Sequence, residues 1–250
     1  EIYTLSLHDA LPISTRPVMT RESLRLALVG DVMLGRLVDR VTAGADPLRP
    51  WGDLLPELRG ADLTLGNLEC AISTRGEQWA PGIKPFHFRA GPWAAGSLAA
   101  AGFDFVALAN NHALDYGAVA LEDTLELLSQ HGVAHAGAGR DLAEAVQPAR
   151  FETRGWKVAV FSAADHPEDF AATPTTPGIR LIHADPSDPG AQELLDDVRR
   201  ERESGYDLVV VSLHWGPNMT RRPEPGFPEL ARALVDAGAR LIHGHRAHLF

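Results

Sequence analysis

The sequence predicts an α/β fold, and two observations carry that prediction. A refrain recurs at Ala101-Gly102-Phe103-Asp104, Ser204-Gly205-Tyr206-Asp207 and Ala237-Gly238-Ala239-Arg240. Each copy puts glycine where a helix ends in a left-handed residue, then enters an apolar strand. Helix, glycine cap and strand, repeated, is the grammar of α/β folds. Five strand-like runs also end in polar side chains: Asp31, Glu69, Asn111 with His112, His214, and His245 with His248. Strand carboxyl ends are where open α/β sheets place their ligand crevice.

In chain order, Leu24 to Val29 form a strand closed by Gly30-Asp31, and Leu37 to Val41 a short helix. Leu54 to Leu58 is a helical turn, and Asp62 to Leu65 a strand leading into Gly66-Asn67-Leu68-Glu69. Gly76 to Pro85 is a loop, after which Phe86, Phe88 and Arg89 alternate as a strand does. Trp93 to Ala101 is an alanine-rich helix, and Phe105 to Leu108 is a buried strand that delivers Asn110, Asn111 and His112. From Ala118 to Gln130, Leu121, Leu125 and Leu128 share one helix face. Gly137 to Arg140 reads as a turn, followed by a short helix at Leu142 to Val146. Phe151 to Thr153 and Val158 to Ser162 form a hairpin around Arg154-Gly155. Ala191 to Ser204 is a charged surface helix, and Leu208 to Leu213 the most apolar strand, ending in His214-Trp215-Gly216. Pro217 to Pro228 is a proline-rich, lid-like loop, Glu229 to Ala237 a helix, and Arg240 to Ile242 a last strand before His243-Gly244-His245-Arg246-Ala247-His248.

Composition sets the bounds. The chain has 250 residues, 45% of them hydrophobic, ample for one large core. Its formal net charge is −10 and no dense basic stripe occurs, which argues against general nucleic-acid binding. The single cysteine, Cys70, excludes a disulfide framework and reads as a small core residue. No apolar run approaches the ~20 residues of a membrane span. Residues 1–18 lack the pattern of a signal peptide. Glu1 to Ser14 look foreign to the rest, so 1–18 is read as a leader and 19–250 as the domain, with Met19 as a start. As it stands the chain is expected in the cytoplasm, or membrane-associated or exported if a native signal precedes it.

Each polar strand end has a structural alternative when taken alone. Asp31 and Asn67 suit turns and caps, Glu69 a surface, and His214 a hydrogen-bonded core. Their recurrence at one end of the strands shifts the balance. Mixed carboxylate, amide and imidazole groups suit divalent ions such as Zn, Mn, Fe, Mg or Ca. Two such ions ~3.5–4 Å apart can activate water and stabilise a leaving oxygen.

Six motifs occur in order: Gly30-Asp31-Val32-Met33-Leu34-Gly35-Arg36, Gly66-Asn67-Leu68-Glu69, Phe88-Arg89, Ala109-Asn110-Asn111-His112-Ala113-Leu114-Asp115-Tyr116-Gly117, His214-Trp215-Gly216 and Gly244-His245-Arg246-Ala247-His248. Together they resemble the bacterial CapA family, linked to poly-γ-glutamate capsule synthesis, within the calcineurin-like metallophosphoesterase superfamily. The likeness runs from Leu24 to Phe250. It implies a four-layer α/β/β/α sandwich with one or two divalent ions at the strand ends. By that resemblance, Asp31 and His248 serve one ion, Asn111, His214 and His245 the other, and Glu69 bridges. His112 is implied as general acid or oxyanion holder, with Asp115 orienting it. Arg36, Arg89 and Asn67 are candidates for contact with an anionic small molecule, peptide or polyglutamate.

The departures from that pattern are specific. Met33 stands where the superfamily has a histidine, Glu69 where it has aspartate, Pro217-Asn218 follow His-Trp-Gly, and Ala247 replaces a proline. Relatives also continue past the position of Phe250, so a longer, more stable natural protein is expected. Three functions remain open from the sequence: metal-dependent phosphoester hydrolysis, metal-dependent peptide epimerisation, and non-catalytic binding of polyglutamate in capsule assembly. Oligomeric state, metal and substrate are not legible.

Overall fold

The computed structural model describes residues 22–80 and 84–248. The expected leader at 1–18 lies outside them. The chain runs β1 (Leu26–Val32), α1 (Arg36–Thr42), a 3-10 segment (Arg49–Leu54), α2 (Leu55–Gly60), β2 (Leu63–Leu68), β3 (Ala71–Ile72), β4 (Arg89–Ala90), α3 (Trp93–Ala101), β5 (Phe105–Ala107) and α4 (Gly117–Gln130). It continues with β6 (Ala134–Ala136), β7 (Ala138–Gly139), α5 (Leu142–Ala145), β8 (Ala149–Thr153), β9 (Trp156–Ala164), β10 (Gly178–Ile179), α6 (Pro189–Glu203), β11 (Leu208–His214), α7 (Gly226–Ala237) and β12 (Leu241–His245).

Two four-stranded sheets form the frame, ordered β1-β2-β5-β6 and β12-β11-β9-β8. The first is parallel throughout. In the second, β12, β11 and β9 are parallel, and β8 joins antiparallel through the expected hairpin. The fold is therefore mixed α/β with largely parallel sheets. The period of two along each strand explains where the cores sit. Val209, Val211 and Leu213 pack with Leu194, Val198, Leu230 and Leu234 of α6 and α7. Val106 and Leu108 pack with Leu98 of α3 and with Leu121, Leu125 and Leu128 of α4. A third cluster unites Leu63, Leu65, Phe105 and Ala107 of one sheet with Val158, Val160 and Val210 of the other.

That third face changes character along its length. Leu63 and Leu65 are followed at the same period by Asn67, Val210 by Ser212 and His214, and Leu241 by His243 and His245. Apolar side chains pack at one end of the strands, and polar ones gather at their carboxyl ends.

Several boundaries differ from expectation, and three of the differences have plain physical reasons. β1 runs on through Gly30-Asp31, because Asp31 pairs with Asn67 of β2 after a bulge beyond Leu28. α7 begins at Gly226 rather than Glu229, since Pro228 sits in the first turn, where a missing N–H costs no helical bond. Ala138-Gly139 is a strand rather than a turn, because it pairs with Gly178-Ile179 some forty residues away. The preceding Gly137 has φ +89, and a Cβ there would meet Ser162 Oγ at 2.6 Å and Ala109 Cβ at 2.7 Å, so only glycine fits this crossing between the sheets.

Candidate functional site

Asp31 is the last residue but one of β1, an edge strand of the first sheet, and His214 and His245 end neighbouring strands of the second. Asp31 Oδ1 lies 3.7 Å from His214 Nδ1 and 3.6 Å from His245 Nδ1, while its Oδ2 lies 3.3 Å from His248 Nε2. His214 Nδ1 and His245 Nδ1 face one another at 2.9 Å, and His214 Nε2 stands 2.8 Å from Asn111 Oδ1. Glu69 Oε1 is 3.9 Å from His214 Nε2 and 3.8 Å from His112 Nε2. The six expected donors thus come together from positions more than two hundred residues apart.

Among the described residues, two overlapping groups could hold a metal ion: Asp31 with His214 and His245, and Asp31 with Glu69 and His248. Asp31, rather than Glu69, is the residue common to both. The donor chemistry fits a divalent cation. Burial holds His214 and His245 well below the ordinary histidine pKa, so both rings offer neutral nitrogens. Two such nitrogens at 2.9 Å beside a carboxylate form a ready set of lone-pair donors. Glu69 is pushed up to about 8, first by burial and then by the charge of Asp31, which together outweigh the opposing charges of Arg246 and Lys84.

A chain of amides fixes the carboxylate. The Asn110 side chain accepts from the His112 N–H at 2.9 Å and donates to the Leu68 carbonyl at 2.9 Å and to Asn67 Oδ1 at 3.0 Å. Asn67 Nδ2 then donates to Asp31 Oδ1 at 2.8 Å. Asn67 is fully buried and wholly occupied behind Asp31, so it positions the carboxylate and has no face for a substrate.

His112 is oriented from two sides. Its Nδ1 donates to Asp115 Oδ2 at 2.6 Å, and its ring stacks on Phe88 with centroids 4.0 Å apart. Asp115 is itself fully buried and also accepts from the Phe88 N–H at 2.5 Å. Lys84 Nζ stands 2.6 Å from Asp115 Oδ1, at ion-pair distance but outside hydrogen-bond geometry. Burial lowers the His112 pKa against the pull of Asp115.

His112, Glu69, Asn111 and His248 line a cavity of about 380 Å³ with Arg36, Lys84, Phe86, Phe88, Asn218 and Arg246. Arg36 reaches this wall, its guanidinium 5.3 Å from the centre of the Phe86 ring. Arg89 does not. It donates to the carbonyls of Arg75 and Gly76 and lies 3.9 Å from the centre of the Tyr116 ring, so its role here is to close the loop beneath β4. Lys84 and Arg246 escaped the sequence reading. Arg246 has φ +93, donates its backbone N–H to Asp31 Oδ2 at 3.1 Å and lays its guanidinium against His166, which pairs with Asp165. The one available signal was that Arg246 stands between two ligand-type histidines.

A mixed α/β frame with carboxylate, amide and imidazole donors at its strand ends defines a candidate metal-centre protein. The family model "Bacterial capsule synthesis protein PGA_cap" matches residues 25–250, and the chain belongs to that family. A "Probable polyglutamine synthesis accessory protein" of Mycobacterium tuberculosis is 36% identical over 95% of this chain and 64% of its own length. The "PGA biosynthesis protein CapA" of Bacillus subtilis is 32% identical over 90% of this chain and 58% of its own. The chain thus spans about three fifths of these relatives. A hypothetical protein from Thermus thermophilus, of known crystal structure, shares the fold with a TM-score of 0.51 and 21% identity, over 90% of this chain and 69% of that one.

Proposed function

We propose that the chain is a divalent-metal-dependent hydrolase domain of the metallophosphoesterase type, acting on an anionic peptide or polymer of the poly-γ-glutamate kind. The carrying observation is the pair of donor groups sharing Asp31, placed beside a cavity into which His112 points. The three hydrophobic clusters support a four-layer α/β/β/α order, with the centre at the open end of the two inner layers. Asp31, His214 and His245 would hold one ion with Asn111 beside them, and Asp31, Glu69 and His248 a second. A divalent ion at this place supplies Lewis-acid polarisation of a phosphoryl or carbonyl oxygen.

The residues of the chain do the rest. Because Asp115 takes the Nδ1 proton, His112 presents Nε2 to the cavity, where it can accept a proton or return one. Phe88 restrains the ring from turning away. Arg36, Lys84 and Arg246 give the wall a positive field that favours an anion.

A second reading, a non-catalytic polyglutamate-binding accessory, has one observation in its favour. Met33 turns its sulfur to its own backbone at 3.2 Å from the Gly35 N–H, which leaves the Asp31–Glu69–His248 group with a single, half-exposed imidazole. The test is a Mn²⁺ titration followed by assays of bis(p-nitrophenyl) phosphate hydrolysis and of poly-γ-glutamate binding. Turnover that needs both Mn²⁺ and His112 supports the hydrolase. Polymer binding without turnover of ester or polymer selects the accessory role.

A further inference from the structure

A second cavity, of about 420 Å³, adjoins the one beside the candidate centre, and the two share Arg36. The segment from Phe86 to Arg89 is the partition between them. Its side chains alternate as those of an extended chain do: Phe86 and Phe88 face the first cavity, His87 the second, and Arg89 the second also. Arg40 and Tyr116 line the second cavity with them, and Asp39 is its one carboxylate. We propose that this second cavity is an anion subsite, which holds a further carboxylate of a substrate whose reacting part lies at the candidate centre. That the anion belongs to γ-linked glutamate rests on the function proposed above, whereas the affinity for an oxyanion rests on the cavity's own residues.

Charge is the first ground. The chain carries a formal net charge of −10, yet the two joined cavities present five cations, Arg36, Arg40, Lys84, Arg89 and Arg246, against Glu69 and Asp39. Asp39 is already spent: its Oδ1 accepts from the Gly91 N–H at 2.8 Å and from Trp93 Nε1–H at 2.6 Å. Arg36 and Arg40 stand one turn apart on α1, both exposed, and neither pairs with a carboxylate among the described residues. Like charges at that spacing oppose the helix, and an anion between them relieves the opposition. Backbone geometry is the second ground. Arg36 is held at φ +56, and a Cβ on the preceding Gly35 would lie 2.9 Å from the Arg89 carbonyl oxygen. A left-handed arginine persists where the surrounding packing imposes it, and here it lays the guanidinium 5.3 Å and 5.9 Å from the centres of the Phe86 and Phe88 rings. The remaining groups are held in place. Arg89 is pinned to the Arg75 and Gly76 carbonyls and supplies charge from a fixed wall. His87 Nε2 donates to the Trp79 carbonyl at 2.9 Å. The Tyr116 hydroxyl accepts from Gln78 Nε2 at 3.3 Å, which leaves its own proton for an anion. Arg40 and Tyr116 are thus the contacts of the subsite, and Arg36 is its link to the centre.

Calorimetry on the metal-free protein at one low ionic strength tests this, because screening is then weak and constant. The probes are a γ-glutamate oligomer of about ten residues, able to engage both cavities at once, and inorganic phosphate. Arg40→Gln and Tyr116→Phe should each weaken oligomer binding about 10-fold, the lower end for a hydrogen bond to a charged group. Arg232→Gln removes the same charge from an exposed position of α7 and should change binding by less than about 2-fold. An oligomer affinity that either of the first two substitutions leaves unmoved, or that Arg232→Gln lowers as much, overturns the subsite. Phosphate that binds the wild type and is weakened by both substitutions, with no binding of the oligomer, upholds the anion subsite and removes the polyglutamate reading instead. A wild-type protein that binds neither probe overturns the subsite.

Discussion

At the scale of single residues, the separation of His112 from the donor groups is the point that chemistry can test. Its Nδ1 is committed to Asp115 and its ring to Phe88, so only Nε2 is free to act. His112→Ala should leave Mn²⁺ content unchanged and lower turnover by about 10²–10⁴-fold, the usual worth of a positioned acid or base. Metal content that falls in step with activity would make His112 a ligand. Phe88→Leu should keep the fold and reduce kcat by a smaller factor, because the ring regains freedom while its partner carboxylate stays. A change in KM alone, with kcat intact, would show that Phe88 only lines the cavity.

At the scale of elements, two glycines with similar backbone angles separate conformation from crowding. Gly155 turns the β8–β9 hairpin at φ +77 with open space where a Cβ would stand, whereas at Gly137, φ +89, a Cβ would strike Ser162 and Ala109. Gly155→Ala should cost about 1 kcal/mol, the left-handed penalty alone. Gly137→Ala should cost distinctly more, above about 2 kcal/mol, since strain and overpacking add. Urea midpoints at equal slope read the difference, and equal midpoints would contradict the crossing as described. On α7, Leu230, Leu234 and Ala237 form the buried stripe against the second sheet. Leu234→Ala should therefore destabilise by about 2–5 kcal/mol, while Val235→Ala, at an exposed position of the same helix, should change little.

For the whole molecule, the buried titratable groups predict how stability follows pH. His112, His135, His214, His243 and His245 all lie below the ordinary value of 6.5, each chiefly through burial. The unfolded chain therefore takes up protons near pH 6.5 that the folded one resists. Their contribution is present above about 6.5 and is lost as pH falls. Glu69 works the other way. Its folded carboxyl keeps its proton to about pH 8 while the unfolded one releases it near 4.5, so its contribution is full at low pH and is lost as pH rises to 8. Thermal unfolding of the metal-free protein should show a stability maximum close to neutral pH. Glu69→Gln should remove the alkaline decline and spare the acidic one. An alkaline limb unchanged by Glu69→Gln would mean that another group sets it.

The sequence by itself determined the α/β alternation, the helix α3 to the residue, the β8–β9 hairpin, the burial of Cys70 and the family. These follow from local signals: period, glycine caps and short motifs act within a few residues. It also marked the six candidate donors, because each lies at or shortly after the carboxyl end of an apolar strand. Only the tertiary structure decided how they are shared. Asp31 became common to both groups because β1 and β12 are edge strands brought face to face, and Arg246 ties them by one backbone bond to its carboxylate. Arg89 and Asn67, read as anion contacts, were turned to backbone and carboxylate partners that lie fourteen and thirty-six residues away. Lys84 reached the cavity from a loop with no periodicity to announce it. Arg40 and His87 were plain residues of a helix and a loop until the packing of α1 on β4 set them on one cavity. Which residues are polar is written locally, but which polar atoms meet depends on strand register and sheet packing, and those are settled by contacts distant in sequence.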